Sequence, residues 1–195
     1  PPHQSSAASD VYKRQVIDTK LILDFWFIQC TPNMWFKKSD SFDQLLRTKF
    51  KKKIEICLKI NIEQISISYD NYLSYILVLD QFTRNVFRNN PKAFEGDKTA
   101  LELSKTAIEN NFLIECKFHY NSFFLMPIMH SENIIDHELG LPFFKKFTNE
   151  NTFKYALKHK KIIEKFSRFP HRNKILGRKS SKSELEFLKS PGSRF

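Results

Sequence analysis

An apolar helical segment that carries charged side chains most restricts what this chain can fold into. Residues 72–79 are predominantly large and apolar, and the same helical pattern continues through Asp80 and Arg84. These two residues lie one helical turn apart and share a face. Because an unpaired charge is costly to bury, the two must either pair in a structural network or form part of a functional site.

Further polar side chains accompany this pair. A second row on the same helix consists of Gln81, Asn85 and Arg88. A second dense block lies far along the chain and consists of Arg168, His171, Arg172 and Asn173, with Arg178 shortly after it. Together the two blocks predict a built polar centre inside an all-helical protein.

Composition and periodicity both favour helices. The 195 residues suit a single domain, and 20 of them are Phe, which predicts an aromatic core. Only four glycines are present, too few for a hairpin-rich β protein or a glycine-lined phosphate loop. Apolar residues recur with a 3.6-residue period over residues 41–59. The predicted fold is an all-α, single-domain array of many helices.

The same patterns predict individual elements. We expect helices over residues 18–29, 41–59, 69–89, 97–111, 119–131, 132–147 and 151–167, with a loop between Thr31 and Lys38. Ser39 or Asp40 is predicted to cap the helix over 41–59 and Asp97 the helix over 97–111, and the capping box of Ser181 and Glu184 opens a last short helix. Ile28 is predicted on the buried face of the first helix, and the helix over 132–147 is predicted to break near Gly140 and Pro142. Residues 60–68 are predicted as an extended connector or as the start of the third helix.

Cysteine usage and hydropathy indicate a cytoplasmic protein. The sequence has three widely spaced cysteines and no Cys-x-x-Cys pair, the three being Cys30, Cys57 and Cys116. This spacing favours reduced, buried thiols over a zinc site. We therefore expect no metal and no cofactor. No apolar run is long enough to span a membrane, so we expect no membrane partner.

The net charge of +11 raises the question of nucleic-acid binding. The densest basic run, residues 49–53, is interrupted by Phe50 and lies on an amphipathic helix. That pattern favours solvated lysines over specific nucleic-acid recognition. Residues 1–15 lack the apolar core of a signal peptide and are predicted to be a non-native or disordered tail, with the domain covering residues 16–195.

Candidate acid–base groups follow an apolar run. His130 and Glu132 are two residues apart, so they do not share a helix face as a metal-binding pair would. We expect His130 to point inward and to be hydrogen-bonded by an acid, either Asp80 or Glu132. A neutral histidine held in this way can act as a general base, as can His171. The alternative is a satisfied core histidine without catalytic function.

The arginines also allow two interpretations. Arg84 and Arg88 either form internal salt bridges or present guanidinium groups to an anionic ligand that Gln81 and Asn85 orient. The turn over residues 168–173 either aims side chains at that ligand or caps the end of a helix.

The chain resembles the bacterial domain of unknown function 924 family over residues 18–195. The resemblance rests on Leu23–Phe27, Trp35–Phe36, Leu79–Asn85, Ala93–Phe94, Pro127, His130–Glu132, Arg168–Asn173, Leu176–Arg178 and Pro191–Ser193. Thr83 stands where the family usually has proline, and His137 where it usually has glutamine. The resemblance implies an all-α fold similar to tetratricopeptide-like helical stacks, and it carries over no catalytic residues.

Three functions are compatible with these observations. The first is binding of a small anionic molecule in an internal polar pocket, with acid–base catalysis if the protein is an enzyme. The second is an adaptor that binds a protein or peptide in a groove, with the polar blocks serving as structural ties. The third is RNA binding through the lysine-rich faces, which requires one contiguous basic surface.

Overall fold

The computed structural model describes residues 17–193, so the predicted tail over residues 1–15 lies outside it. Within residues 17–193 there is no β-strand, and the predicted all-α fold is confirmed. The α-helices are α1 (Thr19–Asp24), α2 (Pro32–Phe36), α3 (Asp40–Cys57), α4 (Tyr69–Ile76), α5 (Thr83–Val86), α6 (Asp97–Glu109), α7 (Phe118–His130), α8 (Ile134–Phe147), α9 (Glu150–Phe166) and α10 (Lys182–Phe187).

Two π-helices interrupt the α-helical pattern. The first, Phe25–Gln29, continues α1, and the second, Leu77–Phe82, joins α4 to α5. Three short 3-10 helices lie in the connections, at Ile62–Gln64, Pro91–Phe94 and Pro170–Arg172. The predicted extended connector over residues 60–68 is therefore correct, apart from its 3-10 turn.

The long helices pack as sequential neighbours. Helix α6 packs on α7, α7 on α8 and α8 on α9, while α4 lies against α6 and α7. Most of the buried apolar side chains form one continuous core. A smaller cluster of Ile162, Ile163 and Phe169 joins α9 to residues 168–193, which we call the C-terminal segment. The tetratricopeptide-like arrangement stays a prediction.

Aromatic residues fill the centre of the main core, as the Phe-rich composition predicts. Trp26 is fully buried and contacts the rings of Phe82 and Phe123 at centroid distances of 5.3 and 5.5 Å. The indole Nε1 of Trp35 donates a hydrogen bond to the backbone oxygen of Trp26 at 2.9 Å. This contact ties α2 to the first π-helix.

The first π-helix overturns one prediction about burial. Ile28 is 75% exposed, although a regular helix over residues 18–29 would place it on the face of Ile22 and Phe25, which are buried. A π-turn adds a residue to the helical repeat, so the residues after Phe25 rotate away from the buried stripe. The segment predicted as a loop between Thr31 and Lys38 also contains the short helix α2.

Two further predictions are wrong. Helix α8 runs without interruption through Gly140 and Pro142, where a break was predicted. Gly140 packs closely against the side chain of Ile128. Cys116 is exposed rather than buried. The other two thiols are buried, and desolvation raises the pKa of Cys57 to about 12.

Helix boundaries follow the predicted capping residues in most cases. The hydroxyl of Ser39 accepts a hydrogen bond from the backbone amide of Phe42 at the start of α3. Ser181 and Glu184 form the predicted capping box, with the Ser181 amide donating to the Glu184 carboxylate at 2.7 Å. Gly96, rather than Asp97, is the cap residue of α6.

Candidate functional site

The second π-helix carries the acidic residue at the middle of the site. Asp80 is fully buried inside it, and Gln81 beside it is 7% exposed. A π-turn leaves backbone carbonyls without their usual partners, and the hydroxyl of Thr83 donates to the carbonyl of Leu79 at 2.7 Å. Such π-turns frequently occur at functional sites, because they redirect side chains that a regular helix would align.

Two carboxylates hold Arg84 in place. One guanidinium nitrogen lies 3.0 Å from the carboxylate of Asp80 and 2.8 Å from that of Asp97. The second nitrogen donates to the other oxygen of Asp97 at 3.0 Å, which completes a bidentate pair. Asp97 opens α6, so this pairing fixes α6 to the second π-helix. The predicted salt bridge between Asp80 and Arg84 is present.

His130 forms the other contact of the buried carboxylate. Its Nδ1 lies 2.7 Å from Oδ1 of Asp80, while the amide of Gln81 donates to Oδ2 at 2.6 Å. When the imidazole is neutral, Nδ1 therefore carries the proton, because a carboxylate can only accept. No residue in the described part of the chain hydrogen-bonds to Nε2, and the side chain is 18% exposed.

Arg172 approaches the same group from the C-terminal segment. One of its nitrogens donates to the backbone oxygen of His130 at 3.0 Å, and another lies 3.4 Å from Asp97. Its Nε is buried and has no hydrogen-bond partner within residues 17–193. The half-buried ring of Phe94 lies 4.8 Å from this guanidinium and 5.5 Å from that of Arg84. We call Asp80, Arg84, Asp97, His130 and Arg172 the polar centre.

The electrostatics of the polar centre keep His130 neutral. Burial lowers the pKa of His130, and the effect outweighs the attraction of Asp80. Burial also opposes ionisation of the Asp80 carboxyl. Arg84 and His130 nevertheless hold the pKa of Asp80 below the usual range. Desolvation and the positive charge of Arg84 lower the pKa of Arg172 to about 10. A neutral imidazole therefore lies between an ionised acid and two guanidinium groups.

A second cluster joins the end of α7 to the C-terminal segment. The carboxylate of Glu132 accepts two hydrogen bonds from Arg178, at 2.6 and 3.0 Å, and one from the backbone amide of Phe169 at 2.7 Å. Arg178 also donates to the side chain of Asn173 at 2.9 Å. Burial raises the pKa of Glu132, but these hydrogen-bond donors lower it overall.

The remaining predicted site residues belong to other contacts. Arg88 pairs with Asp43 of α3 at 2.5 and 2.7 Å, and its guanidinium also donates to Asn85. Arg168 pairs with Glu184 within the C-terminal segment, at 2.7 and 2.9 Å. Both arginines therefore have carboxylate partners outside the polar centre.

Sequence reasoning missed two residues of the site. Asp97 was predicted only as a helix cap, because its first-turn position explains an acidic residue without a tertiary partner. Phe94 stands out in the sequence only as part of the Ala93–Phe94 string that resembles the family. Phe94 and Asp97 lie shortly after the helix that carries Asp80 and Arg84, where a turn brings the chain back to that helix. This position is the sequence feature that could have indicated them.

Two surface depressions lie away from the polar centre. One of about 500 Å³ is bordered by Asp18, Lys20, Ser68 and other residues of α1 and α4. Another of about 480 Å³ is bordered by Met34, Lys37, Phe42 and their neighbours. Over residues 17–193 no group of three His, Cys, Asp or Glu side chains is placed to hold a metal ion, and no helix is long and apolar enough to cross a membrane.

Comparison with known proteins gives the family of the chain. A protein of unknown function from Agrobacterium tumefaciens has a similar structure, with a TM-score of 0.80, 27% sequence identity and coverage of 88% of this chain and 96% of that one. No curated protein matches the sequence. The profile of the bacterial proteins of unknown function DUF924 matches residues 22–192. Because this match covers most of the sequence, the chain belongs to that family.

Proposed function

We propose that the protein binds a small anionic molecule at the polar centre and that His130 acts there as a general base. The observation that carries the proposal is the pairing of His130 with Asp80 at 2.7 Å, with Nε2 left without a hydrogen bond from residues 17–193. A buried carboxylate that fixes one imidazole nitrogen leaves the lone pair on the other, which can take a proton from a bound molecule or water.

Arg172 is the group that favours an anion. Its contact with Asp97 is long, at 3.4 Å, because the carboxylate is already engaged by Arg84 in two shorter bonds. The Nε donor of Arg172 is buried without a partner. Since a buried donor costs free energy until it is satisfied, a carboxylate or phosphoryl oxygen of a ligand would gain from filling this position.

The other predicted acid–base residues take supporting roles in this proposal. Glu132 has both oxygens engaged by Arg178 and by the Phe169 amide, so it positions the turn that carries Arg172. Burial and the neighbouring Arg172 lower the pKa of His171 to about 3, so at neutral pH it is uncharged. Gln81, Asn173 and Arg178 orient these groups rather than the ligand.

A thermal-shift series tests binding. The protein is heated with sugar phosphates, nucleoside monophosphates and dicarboxylates, each beside an uncharged analogue. An anion at 100 times its dissociation constant should stabilise the fold by about 2.7 kcal/mol. Arg172→Gln should abolish the shift, whereas Arg88→Gln, which breaks a comparable pair with Asp43, should keep it. If no anion stabilises the wild type, or if both variants respond alike, the proposal is wrong.

A bound anion then allows the catalytic part to be tested. His130→Gln should retain binding, because the anion contacts Arg172, and should lower turnover by about 10²–10⁴-fold. Equal turnover in wild type and variant would mean that the site binds the anion but that His130 is not a general base.

One observation favours the adaptor as a second candidate. Phe36 is 67% exposed and Leu45 is 45% exposed, beside the depression that Met34, Lys37 and Phe42 border. Exposed apolar side chains with lysines around them are typical of a surface for acidic, amphipathic peptides. Loss of binding to such a peptide in Phe36→Ser, with Ile67→Ser as the control at a similarly exposed position, would support this function.

A further inference from the structure

Almost all of the net positive charge of the chain is concentrated in one stretch of sequence. Residues 154–182 contain eleven Lys and Arg side chains and a single carboxylate, that of Glu164, so ten of the eleven net charges lie within them. Acidic and basic side chains nearly balance over the rest of the chain. Charge of one sign that is this concentrated creates a strong local potential at the surface.

The arginines of this stretch have carboxylate partners. The pairs are Arg168 with Glu184, Arg172 with Asp97 and Arg178 with Glu132. Lys160 pairs with Glu164 in the same way. The uncompensated charge therefore lies on exposed lysines that form no ion pair within residues 17–193, namely Lys158, Lys161, Lys165, Lys174, Lys179 and Lys182.

Three of these lysines, together with Lys154, form a row along α9. Positions 154, 158, 161 and 165 are four, three and four residues apart, the spacing that aligns side chains on one helix face. All four are exposed, while Ala156, His159 and Ile163 on the opposite side of the helix are buried. The row covers about 17 Å of the helix at a rise of about 1.5 Å per residue. We call these four lysines the basic face.

The partner of Lys154 does not neutralise the row. Glu150 lies 2.7 Å from the Lys154 ammonium, but the two side chains are 79% and 61% exposed. An exposed pair of this kind contributes little free energy and exchanges readily for another anion. All four lysines are therefore available to a negatively charged partner.

An exposed aromatic ring lies beside the basic face. Tyr155 is 44% exposed, and the ammonium of Lys158 lies 5.2 Å from the centroid of its ring. No Leu, Ile or Phe of α9 is exposed. A membrane surface or an amphipathic peptide requires such apolar side chains for insertion or packing. Lysines beside an aromatic ring instead suit single-stranded nucleic acid, whose phosphates contact the lysines while a base stacks on the ring.

The positive surface continues beyond the end of α9. The guanidinium of Arg168, three residues after Lys165, donates a hydrogen bond to the backbone oxygen of Lys179 at 3.0 Å. Lys179 is exposed, and Lys182 follows at the start of α10. A strand that follows the basic face would thus meet further lysines in the C-terminal segment.

We propose that the basic face binds single-stranded nucleic acid without sequence preference, with phosphates along the lysine row and one base stacked on Tyr155. Contacts to phosphates and to the flat side of a base carry no sequence information. The buried side of α9 carries His159, whose ring lies 6.3 Å from that of His130 in the polar centre. The basic face is on the other side of the helix, so this proposal is independent of the anion binding proposed for the polar centre.

Fluorescence anisotropy of the full chain with a labelled 20-nucleotide RNA of mixed sequence tests the proposal. The dissociation constant is measured between 50 and 200 mM NaCl. Each phosphate contact to a single strand contributes about −0.7 to the slope of log affinity against log salt concentration. Four contacts should therefore raise the dissociation constant by about 50-fold over this range. Absence of binding, or binding that does not depend on salt, would overturn the proposal.

Two triple variants with the same net charge separate the basic face from the general charge of the chain. The first, Lys158→Gln, Lys161→Gln, Lys165→Gln, keeps one of the four contacts, so the same salt change should raise its dissociation constant only about threefold. The control removes three exposed lysines of other elements and should keep the 50-fold effect; it is Lys52→Gln, Lys59→Gln, Lys98→Gln. Equal behaviour of the two variants would contradict the assignment.

Tyr155→Leu tests the stacked base. At constant salt the variant should bind the RNA at least about fivefold more weakly, because it loses base stacking, with the salt slope unchanged. Its affinity for heparin, a polyanion without bases, should equal that of the wild type. An equal loss for both ligands, or no loss for either, would exclude a base on Tyr155.

Two further arms identify the partner and the site. Arg172→Gln changes the polar centre alone and should bind the RNA as wild type does, whereas loss of binding would place the RNA at the polar centre and overturn the proposal. Vesicles of phosphatidylglycerol and polyglutamate serve as competing anions. If either of them binds to the wild type and the RNA does not, the partner is not a nucleic acid.

Discussion

Nδ1 of His130 lies 2.7 Å from Oδ1 of Asp80, although the two residues are 50 positions apart in the sequence. The second π-helix aims the carboxylate, and the last turn of α7 aims the imidazole. Arg84 and Gln81 occupy the remaining positions around the carboxylate, so side chains of the described residues compensate its charge. This contact joins the two blocks that the sequence marks as polar, and the predictions below depend on it.

Replacing Asp80 by asparagine should destabilise the fold strongly. The change keeps the shape but removes the charge that compensates Arg84, and breaking a buried ion pair from one side costs about 3–5 kcal/mol. Urea unfolding at pH 7.5 measures the free energy. The control is Glu55→Gln, which removes the exposed partner of Lys51 and should leave stability unchanged. A loss below about 1 kcal/mol, the range of surface pairs, would contradict the account.

Gly96→Ala should disturb the polar centre through the backbone. A Cβ at this position would lie 2.3 Å from the carbonyl oxygen of Leu79, so α6 must move away from the second π-helix. We expect a loss of about 1–3 kcal/mol in unfolding free energy, as for other overpacked sites. Because Asp97 follows directly, anion binding should weaken as well. Lys98→Ala, at the next, exposed position, provides the control.

Glu132→Gln should loosen the C-terminal segment. Glu132 accepts hydrogen bonds from Arg178 and from the Phe169 amide across the junction, and hydrogen bonds to charged groups contribute about 1.5–3 kcal/mol. Hydrogen exchange should therefore accelerate over residues 168–193 at neutral pH. The matched change Glu184→Gln removes a partner of Arg168 within the segment itself, so it should affect exchange only near α10.

Stability should decrease as the pH falls below 6.5. A histidine whose pKa is lower in the fold than in the unfolded chain stabilises the fold fully above its unfolded value and loses that contribution as the pH falls. His159 and His171 each have a pKa of about 3, so each should contribute a slope of about 1.4 kcal/mol per pH unit below 6.5. Urea unfolding of wild type and His159→Gln at pH 7.5, 6.5 and 5.5 measures the slope, which should be smaller in the variant. Equal slopes would contradict the assignment.

The elements of the fold were predictable where side-chain periodicity decides them. Apolar spacing located α3, and the Ser181–Glu184 box located the start of α10, because both signals are local in sequence. The π-helices were not predictable, since a single extra residue in a turn leaves the apolar pattern almost unchanged. That is why Ile28 was expected to be buried and is exposed instead.

Four of the five residues of the polar centre were predictable from the sequence, Asp97 being the exception, but not all of their pairings were. Buried charges require partners, which marked Asp80, Arg84 and His130 before any contact was known. The sequence left two acids open for His130, and the structure pairs it with Asp80, while Glu132 binds Arg178. Which acid faces which base depends on how helices distant in sequence pack together, and no local pattern contains that information.

The state of the His130 imidazole tests the central claim most directly. Long-range proton–nitrogen NMR on ¹⁵N-labelled protein at pH 7.5 distinguishes the two neutral tautomers and the charged ring. The account predicts a neutral ring with its proton on Nδ1, facing Asp80, and a lone pair on Nε2. In Asp80→Asn this preference should be lost. A charged imidazole, or a proton on Nε2 in the wild type, would contradict a general base at this position.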